Sequence, residues 1–440
     1  MRVLAILSPA GHLVKDRLLS LTKLVVNERK SPMAGWDEAH WQSDISSGIP
    51  RAEQRSGTYT RYVPDRLDGA SLAVDGPLSR DVGAIERGIR ALNGSGAEGL
   101  AGIARFLLRS EAIASSRIEG IAPSAQQVAL AELAQTETVQ GISEQAKLVA
   151  NNMTVVRHAT SALAQAETLT VDHVVELHRS LLPEEPRHHG LRTVQNWIGT
   201  PSWSPIGAAY VPPAPEQVPE LMADLVDYIN GAAHAPLVQA AVIHAQFETI
   251  HPFTDGNGRV GRALIHTVLS RRGLTDRAVL PISLVLATLR DQYIAGLTAF
   301  RHSSPTGSAE ASAAINSWLR TFLESAAIAV EESERLVFAI ETLRTSWTDR
   351  LTAHRTAAGL RPAPRADSAV ARLLYQLQEA PVVTTSTLAR ILDVSLPAAG
   401  AALDELQLAG ILSTKSMARG AKAYLAREVL DLVTLSERAL

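Results

Sequence analysis

Cysteine is absent from the 440 residues, which excludes disulfides and thiolate metal ligands and fits a reducing compartment. Aromatic residues make up only 4%. With Ala and Leu abundant, that mixture favours helix over sheet. No apolar run approaches the roughly 20 residues needed to span a bilayer, so a soluble protein with no membrane partner is expected. The start, Met1 to Ser8, is only faintly like a signal peptide. Its apolar stretch, Val3 to Leu7, is too short, and Lys15 and Asp16 follow soon after. A cytoplasmic location is therefore expected. A surplus of one charge is lacking too: 42 basic residues against 45 acidic ones leave a formal −3. No global basic field exists to hold nucleic acid or an anionic membrane.

What is present is helical periodicity. At about 150 residues per domain, the length suits two or three domains. Residues 1–35 show no consistent period and read as a disordered tail, with Met33 as a candidate natural start. Residues 36–140 form an N-terminal region, polar and rich in turn formers to about 75, with short strands around Thr58 to Val63. Val82, Ile85, Ile89 and Leu92 then recur at spacings of three and four. A second helix carries Leu100, Ile103, Leu107, Leu108 and Ile113 on one side and stops near Gly120, a suitable C-terminal residue. Over 141–355 the pattern predicts a helical core with helices at 142–165, 171–182, 215–231, 236–250, 259–272 and 311–330, the last running on to about Arg350. One interruption, Arg187 to Pro213, holds three glycines and the Pro212-Pro213 pair, and reads as a hairpin or flap. Residues 356–366 read as a linker. Residues 367–440 follow the order helix, helix-turn-helix, then two short extended stretches, Ile411 to Thr414 and Lys422 to Leu425: a winged helix-turn-helix pattern.

The chemistry concentrates in His251-Pro-Phe-Thr-Asp255-Gly-Asn257-Gly-Arg259-Val-Gly-Arg262. Pro252 prevents the preceding helix from continuing, and Gly256 and Gly258 permit a tight loop with positive φ. A glycine-rich loop leading into a helix offers free N–H groups and a favourable dipole to an anion. Arg259 and Arg262, three apart, can point from one face at neighbouring phosphates. Asp255 can hold Mg²⁺ between phosphate oxygens. His251 is the one group of the loop suited to taking a proton near pH 7. A base, a hard-metal ligand, an anion nest and two guanidiniums within one loop describe a nucleotide-phosphate transfer site. His244, seven residues earlier on the same helix face, is read as a buried hydrogen-bonded histidine rather than a metal partner of His251.

This stretch resembles the signature of the Fic family, His-Pro-Phe-x-Asp/Glu-Gly-Asn-Gly-Arg-x-x-Arg, at every defined position. The resemblance extends over about residues 50 to 330 through Arg192-Thr-Val-Gln-Asn-Trp-Ile-Gly199 with Tyr210-Val-Pro-Pro213, through Ile243-His-Ala-Gln-Phe-Glu-Thr-Ile250, and through Ser115-Ser-Arg-Ile-Glu119-Gly120. It implies a mainly α fold, a Fic-type helical bundle with a β-hairpin flap, beside the C-terminal winged helix-turn-helix domain. It also implies transfer of AMP from ATP, with Mg²⁺, to a Ser, Thr or Tyr hydroxyl of a target protein. By the same resemblance His251 deprotonates the hydroxyl and Asp255 binds Mg²⁺. Asn257 with the amides around Gly256 and Gly258 holds the α-phosphate, and Arg259 and Arg262 hold the β- and γ-phosphates. Phe253 anchors the core. Gly199 joins the ATP-binding residues, and Tyr293 lies against the adenine. The flap residues Trp197, Ile198, Tyr210 and Val211 offer an open edge to which a target segment adds as a strand.

Ser115, Glu119 and Gly120 resemble the inhibitory motif that some Fic proteins carry ahead of the catalytic core. A carboxylate pairing with Arg262 would remove that guanidinium from the γ-phosphate and misalign the α-phosphorus. Ser115 would hold the helix end or Glu119. Self-modification and a homodimer fit this picture. Two other readings stand beside it: hydrolysis of AMP from a modified protein by the same residues, and a nucleotide-sensing transcriptional regulator that binds DNA through its winged helix. DNA is the less favoured partner. Residues 367–440 hold seven basic against eight acidic residues, and Leu396 to Ala409 contains Asp404 and Glu405 but no basic residue. Only Lys415, Arg419 and Lys422 look suited to phosphates.

Overall fold

The computed structural model describes residues 34–43, 54–68, 72–94, 103–199, 203–276, 279–417 and 422–436. The expected tail, 1–35, lies outside these except for Ala34 and Gly35; Met33 and Arg419 also lie outside. Two strands come first. β1 (Gly35–Trp41) pairs antiparallel with β2 (Gly57–Val63), with Gly35 opposite Val63 and Trp41 opposite Gly57. β2 falls where strands were expected. β1, Gly-Trp-Asp-Glu-Ala-His-Trp, went unread because its polar residues mask the alternation.

Helices dominate the rest. They are α1 (Gly76–Gly94), α2 (Ala104–Ile118), α3 (Ala125–Ala134), α4 (Glu144–His158, passing into a π turn at Ala159–Leu163), α5 (Val171–Leu181), α6 (Val218–Asn230), α7 (Pro236–Ile250) and α8 (Asn257–Arg271). α9 (Ile282–Thr288), α10 (Arg290–Phe300) and α11 (Ala309–Ala357) follow. Local chemistry starts many of them. The side chains of Ser124, Ser143, Thr170 and Ser308 each accept a hydrogen bond from the N–H three residues on, satisfying donors that a helix start leaves open.

α7 is the axis of the core. All its residues from Leu237 to Ile250 are buried, so it shows no polar face, as expected for a helix packed on all sides. α6, α8 and α11 pack against it. α11 is longer than expected, 49 residues. No proline or glycine interrupts it before Gly359, which takes φ +68°. The expected linker, 356–366, thus comprises its last two residues and the turn beyond.

The C-terminal elements are α12 (Ala369–Gln376), β3 (Val382–Val383), α13 (Thr385–Leu392), α14 (Leu396–Leu408), β4 (Ser413–Ser416), β5 (Lys422–Leu425) and α15 (Arg427–Ser436). The strands form one antiparallel sheet in the order β3-β5-β4. β3 was not expected. β4 starts at Ser413, because the N–H groups of Ile411 and Leu412 bond back to Leu406 and close the end of α14. Trp347 and Arg350 of α11 donate to the Glu428 carboxylate of α15, at 2.8 and 2.6 Å.

Candidate active site

α7 ends at His251, which takes the left-handed conformation, φ 50° and ψ 61°. Pro252 supplies no N–H to continue the helix. Gly256 turns the chain at φ +79°, and a side chain there would collide with Leu181. α8 then opens at Asn257, two residues earlier than the pattern suggested.

The loop between is braced from several sides. The Asn257 side chain accepts from the N–H of Phe253 and donates to its carbonyl, both at 2.8 Å. In this structure Asn257 therefore closes the loop, where a phosphate contact had been expected of its side chain. Phe253 is fully buried and stacks on His178 at 3.9 Å, the core anchor expected. Burial pushes the His178 pKa down to about 4. The neutral ring then donates through Nε2 to the Asp255 carbonyl, 2.9 Å away. Arg192 holds the outer side, donating to the carbonyls of His251 at 2.9 Å and Pro213 at 2.6 Å. Asn196 donates to Phe253 O at 2.9 Å. Sequence reasoning assigned no role to His178, Arg192 or Asn196 in this bracing.

His251 is held neutral. Burial first, then the charges of Arg301 and Arg192, lower its pKa to about 4. Its Nδ1 faces Glu248 Oε2 at 3.9 Å and makes no hydrogen bond. Glu248 is itself 7% exposed, and burial raises its pKa to about 7. No sequence signal had singled out Glu248.

Arg259 and Arg262 share a helix but not an environment. Arg259 is 3% exposed, yet its Nε and Nη1 have no hydrogen-bond partner, and Nη2 lies 3.7 Å from Asp255 Oδ1. Buried guanidinium nitrogens without partners are costly unless an anion arrives. The Asp255 side chain is half exposed and receives the Gly256 N–H at 2.6 Å.

Arg262 is fully engaged. Its Nε donates to Ser115 Oγ at 2.9 Å, and Nη2 to Ser115 O at 2.8 Å and Glu119 Oε1 at 2.7 Å. Burial alone would raise the Glu119 pKa, but the charge and hydrogen bond of Arg262 prevail and lower it. Ser115 thus holds Arg262, not Glu119 or the helix end as expected. Gly120 follows at φ +79° and turns the chain away from α2. The Glu119 carboxylate lies over the first turn of α8, in the place a side chain at Gly258 would need. It occupies the anion end of that helix.

One turn further along both helices the pattern repeats. Glu111 of α2 lies 3.0 Å from His266 of α8 and accepts the Ser283 N–H at 2.9 Å, all three side chains buried. α2 and α8 therefore meet antiparallel, with 115 opposite 262 and 111 opposite 266.

Three expectations need correction. Tyr293 is 4% exposed, its hydroxyl is bonded to His244 Nε2 at 2.8 Å, and its ring stacks on His244. A buried face is closed to an adenine. His244 is the buried hydrogen-bonded histidine expected. Gly199 lies in the flap at φ +95°, where a side chain would strike Ala209; its glycine serves that turn, and the structure puts it outside the phosphate loop. The flap is open on one side only. Ile198 and Tyr210 exchange backbone hydrogen bonds, but the Tyr62 N–H of β2 bonds Val211 O at 2.9 Å and covers the second strand. Tyr210 and Val211 are buried, with Arg301 3.5 Å over the Tyr210 ring. Ile198 stays exposed, and Trp197 packs against Trp41 at 5.5 Å.

The comparisons with known proteins meet this geometry at the same residues. The profile of the Fic/DOC family matches 168–269, the stretch from α5 through α8. Over those residues the chain is similar to Fic domains. The chain is similar to protein adenylyltransferase fic-1 of Caenorhabditis briggsae, 34% identical over 29% of this chain and 24% of that one. It is 38% identical to a probable protein adenylyltransferase of Aquifex aeolicus, over 19% of this chain and 27% of that one. The chain thus spans about a quarter of the length of these curated relatives. Among solved structures, a Fic family protein from Desulfovibrio desulfuricans G20 superposes with a TM-score of 0.48 at 19% identity, over 80% of this chain and 97% of that one. No helix of the described residues is long and apolar enough to cross a membrane.

Proposed function

We propose that this protein transfers AMP from ATP to a hydroxyl side chain of a protein, and that Glu119 restrains the reaction. The observation that carries the reading is a neutral, largely buried imidazole at the end of α7 and, in the first turn of α8, a buried guanidinium with two unpartnered nitrogens. The first can take a proton, and the second calls for an anion. Relatives named protein adenylyltransferases support it.

In the proposed step the target hydroxyl oxygen attacks the α-phosphorus of ATP. The new O–P bond forms as the bond to the bridging oxygen breaks, and pyrophosphate leaves. The hydroxyl proton passes to His251. Its Nδ1 faces Glu248, which leaves Nε2 as the accepting nitrogen. Arg259 would hold a terminal phosphate, with the amides at Gly256 and Gly258 around the α-phosphate. Asp255 suits Mg²⁺, being a half-exposed carboxylate beside the anion nest; the ion would neutralise charge on the bound phosphates. The target would enter along the Ile198 side of the flap, the side not covered by β2. Another copy of the chain would serve as target by the same route.

Glu119 draws Arg262 away from the γ-phosphate and sits over the helix end that a phosphate would use. Both effects leave the α-phosphorus poorly aligned. We read residues 367–440 as a winged helix whose α14 suits protein contact better than DNA. Its exposed residues include Leu396, Ala401, Asp404 and Leu408, with no basic side chain.

The test uses ATP labelled at the α-phosphate, Mg²⁺ and a cell extract, comparing Glu119→Gly with Glu119→Gly/His251→Ala. Loss of the base should lower labelling by about 100-fold or more while ATP binding persists. Equal labelling by the two proteins would remove His251 from the mechanism.

A further inference from the structure

α2 carries Ser115 and Glu119 at one end and is gripped from behind at the other. Arg109, 1% exposed, donates from Nη2 to Glu132 of α3 at 2.9 Å and to the carbonyl of Glu379, in the C-terminal elements, at 3.0 Å. Arg105 of α2 also donates to Glu132. Just beyond α3, Glu137 receives Thr384 Oγ1 at 2.7 Å and Ser386 Oγ at 2.9 Å, together with the Thr387 hydroxyl. Arg390 of α13 reaches Thr136 at 3.1 Å. α15 and β3 pack on α3 as well. A carboxylate met by three hydroxyl donors at the start of α13 is a specific junction, since charge-assisted bonds at a helix N-terminus are the stronger kind.

Arg109 precedes Ser115 by six residues, about 9 Å along a helix at about 1.5 Å per residue. The grip and the Arg262 contact therefore lie on one short rigid rod. The grip on α2 is made through Arg109 and α3, and its outer anchor is the C-terminal unit.

We infer that the C-terminal unit is the regulatory element of the site: seated on α3 and Arg109, it holds α2 in the register that places Glu119 on Arg262. This rests on the reading of Glu119 as a restraint and adds what controls it. A protein that draws the C-terminal unit off α3 would loosen α2, free Arg262 and raise AMP transfer. Arg109, Glu137 and Thr384 are then positioning residues, acting through Glu119.

The experiment uses the full chain carrying Glu137→Gln, Thr384→Val or Arg109→Met, each also combined with Glu119→Gly, with Thr384→Ser as the conservative control. Transfer from α-labelled ATP and amide hydrogen exchange of 104–118 are measured. The single variants should raise transfer by about 5-fold or more, the lower range of coupling between sites, and speed exchange in α2, with Thr384→Ser remaining like wild type. Added to Glu119→Gly they should change transfer by less than about 2-fold, because the restraint is already gone. Wild-type transfer in all three single variants would overturn the inference. So would an equal further rise in the Glu119→Gly background, which would mean the junction acts elsewhere. A Glu119→Gly protein no more active than wild type would fail earlier, overturning the restraint itself and this inference with it.

Discussion

At the scale of single residues the site is set by burial acting on charge. His251, 18% exposed at its side chain, cannot afford a proton among Arg192 and Arg301, so its pKa falls to about 4. The sign of the consequence is definite. A base must be neutral to accept a proton, and His251 stays neutral until the pH falls towards its own pKa. In Glu119→Gly the carboxylate that raises this pKa is removed, so the value should not climb. The acid limb of kcat/KM for that variant is expected at about pH 4 or below, well under the 6.5 of a free imidazole. A limb centred at 6.5 would show that His251 is not the group titrating. Much of this was legible in twelve consecutive residues, 251–262, because the loop carries its base, carboxylate and guanidiniums together. What the letters did not give were the neighbours supplied by distant segments: Glu248 against Nδ1, Arg192 and Asn196 across the flap, His178 under the loop. Tyr293 was misplaced for the same reason, since exposure is a tertiary property.

Among the elements, the decisive relation is that α2 lies antiparallel on α8. Glu119 and Ser115 face Arg262, and Glu111 faces His266. Acidic or hydroxyl residues four apart on one helix meet basic residues four apart on the other, a match that helical spacing permits. The spacing stood in the sequence, but only the 115–120 motif gave a reason to look there, and nothing indicated which helix would lie opposite. Glu111 is fully buried and serves both His266 and Ser283. Removing one partner of a buried polar network leaves the others unsatisfied, at about 1–3 kcal/mol. Glu111→Ala should accordingly lower stability by about that amount in denaturant melts. A loss under about 1 kcal/mol would mean that the Glu111–His266 rung contributes little. The flap follows the same logic of neighbours. Its hairpin was read from glycines and prolines, whereas the covering of Tyr210 and Val211 depends on β2, far away in the chain.

Across the whole molecule, helix positions were read well wherever one face is apolar, and ends where Ser, Thr, Gly or Pro cap or break. α7 began and ended as expected because Pro236 and Pro252 bound it. β1 and β3 escaped because a polar strand and a two-residue strand carry too little period. The seating of the C-terminal elements on α3 and α11 rests on Glu137, Arg109 and Glu428, none of which differs in sequence from an ordinary solvated charge. The central claim joins these scales: a buried guanidinium needed for phosphate is held by Glu119 from a separate helix. The measurement that tests it most directly is the rate of AMP transfer from α-labelled ATP by wild type and by Glu119→Gly, at equal concentration and with folding verified. The account expects the variant to be faster by about 10-fold or more, about 1.4 kcal/mol in the barrier. Equal rates, with ATP bound by both proteins, would contradict it.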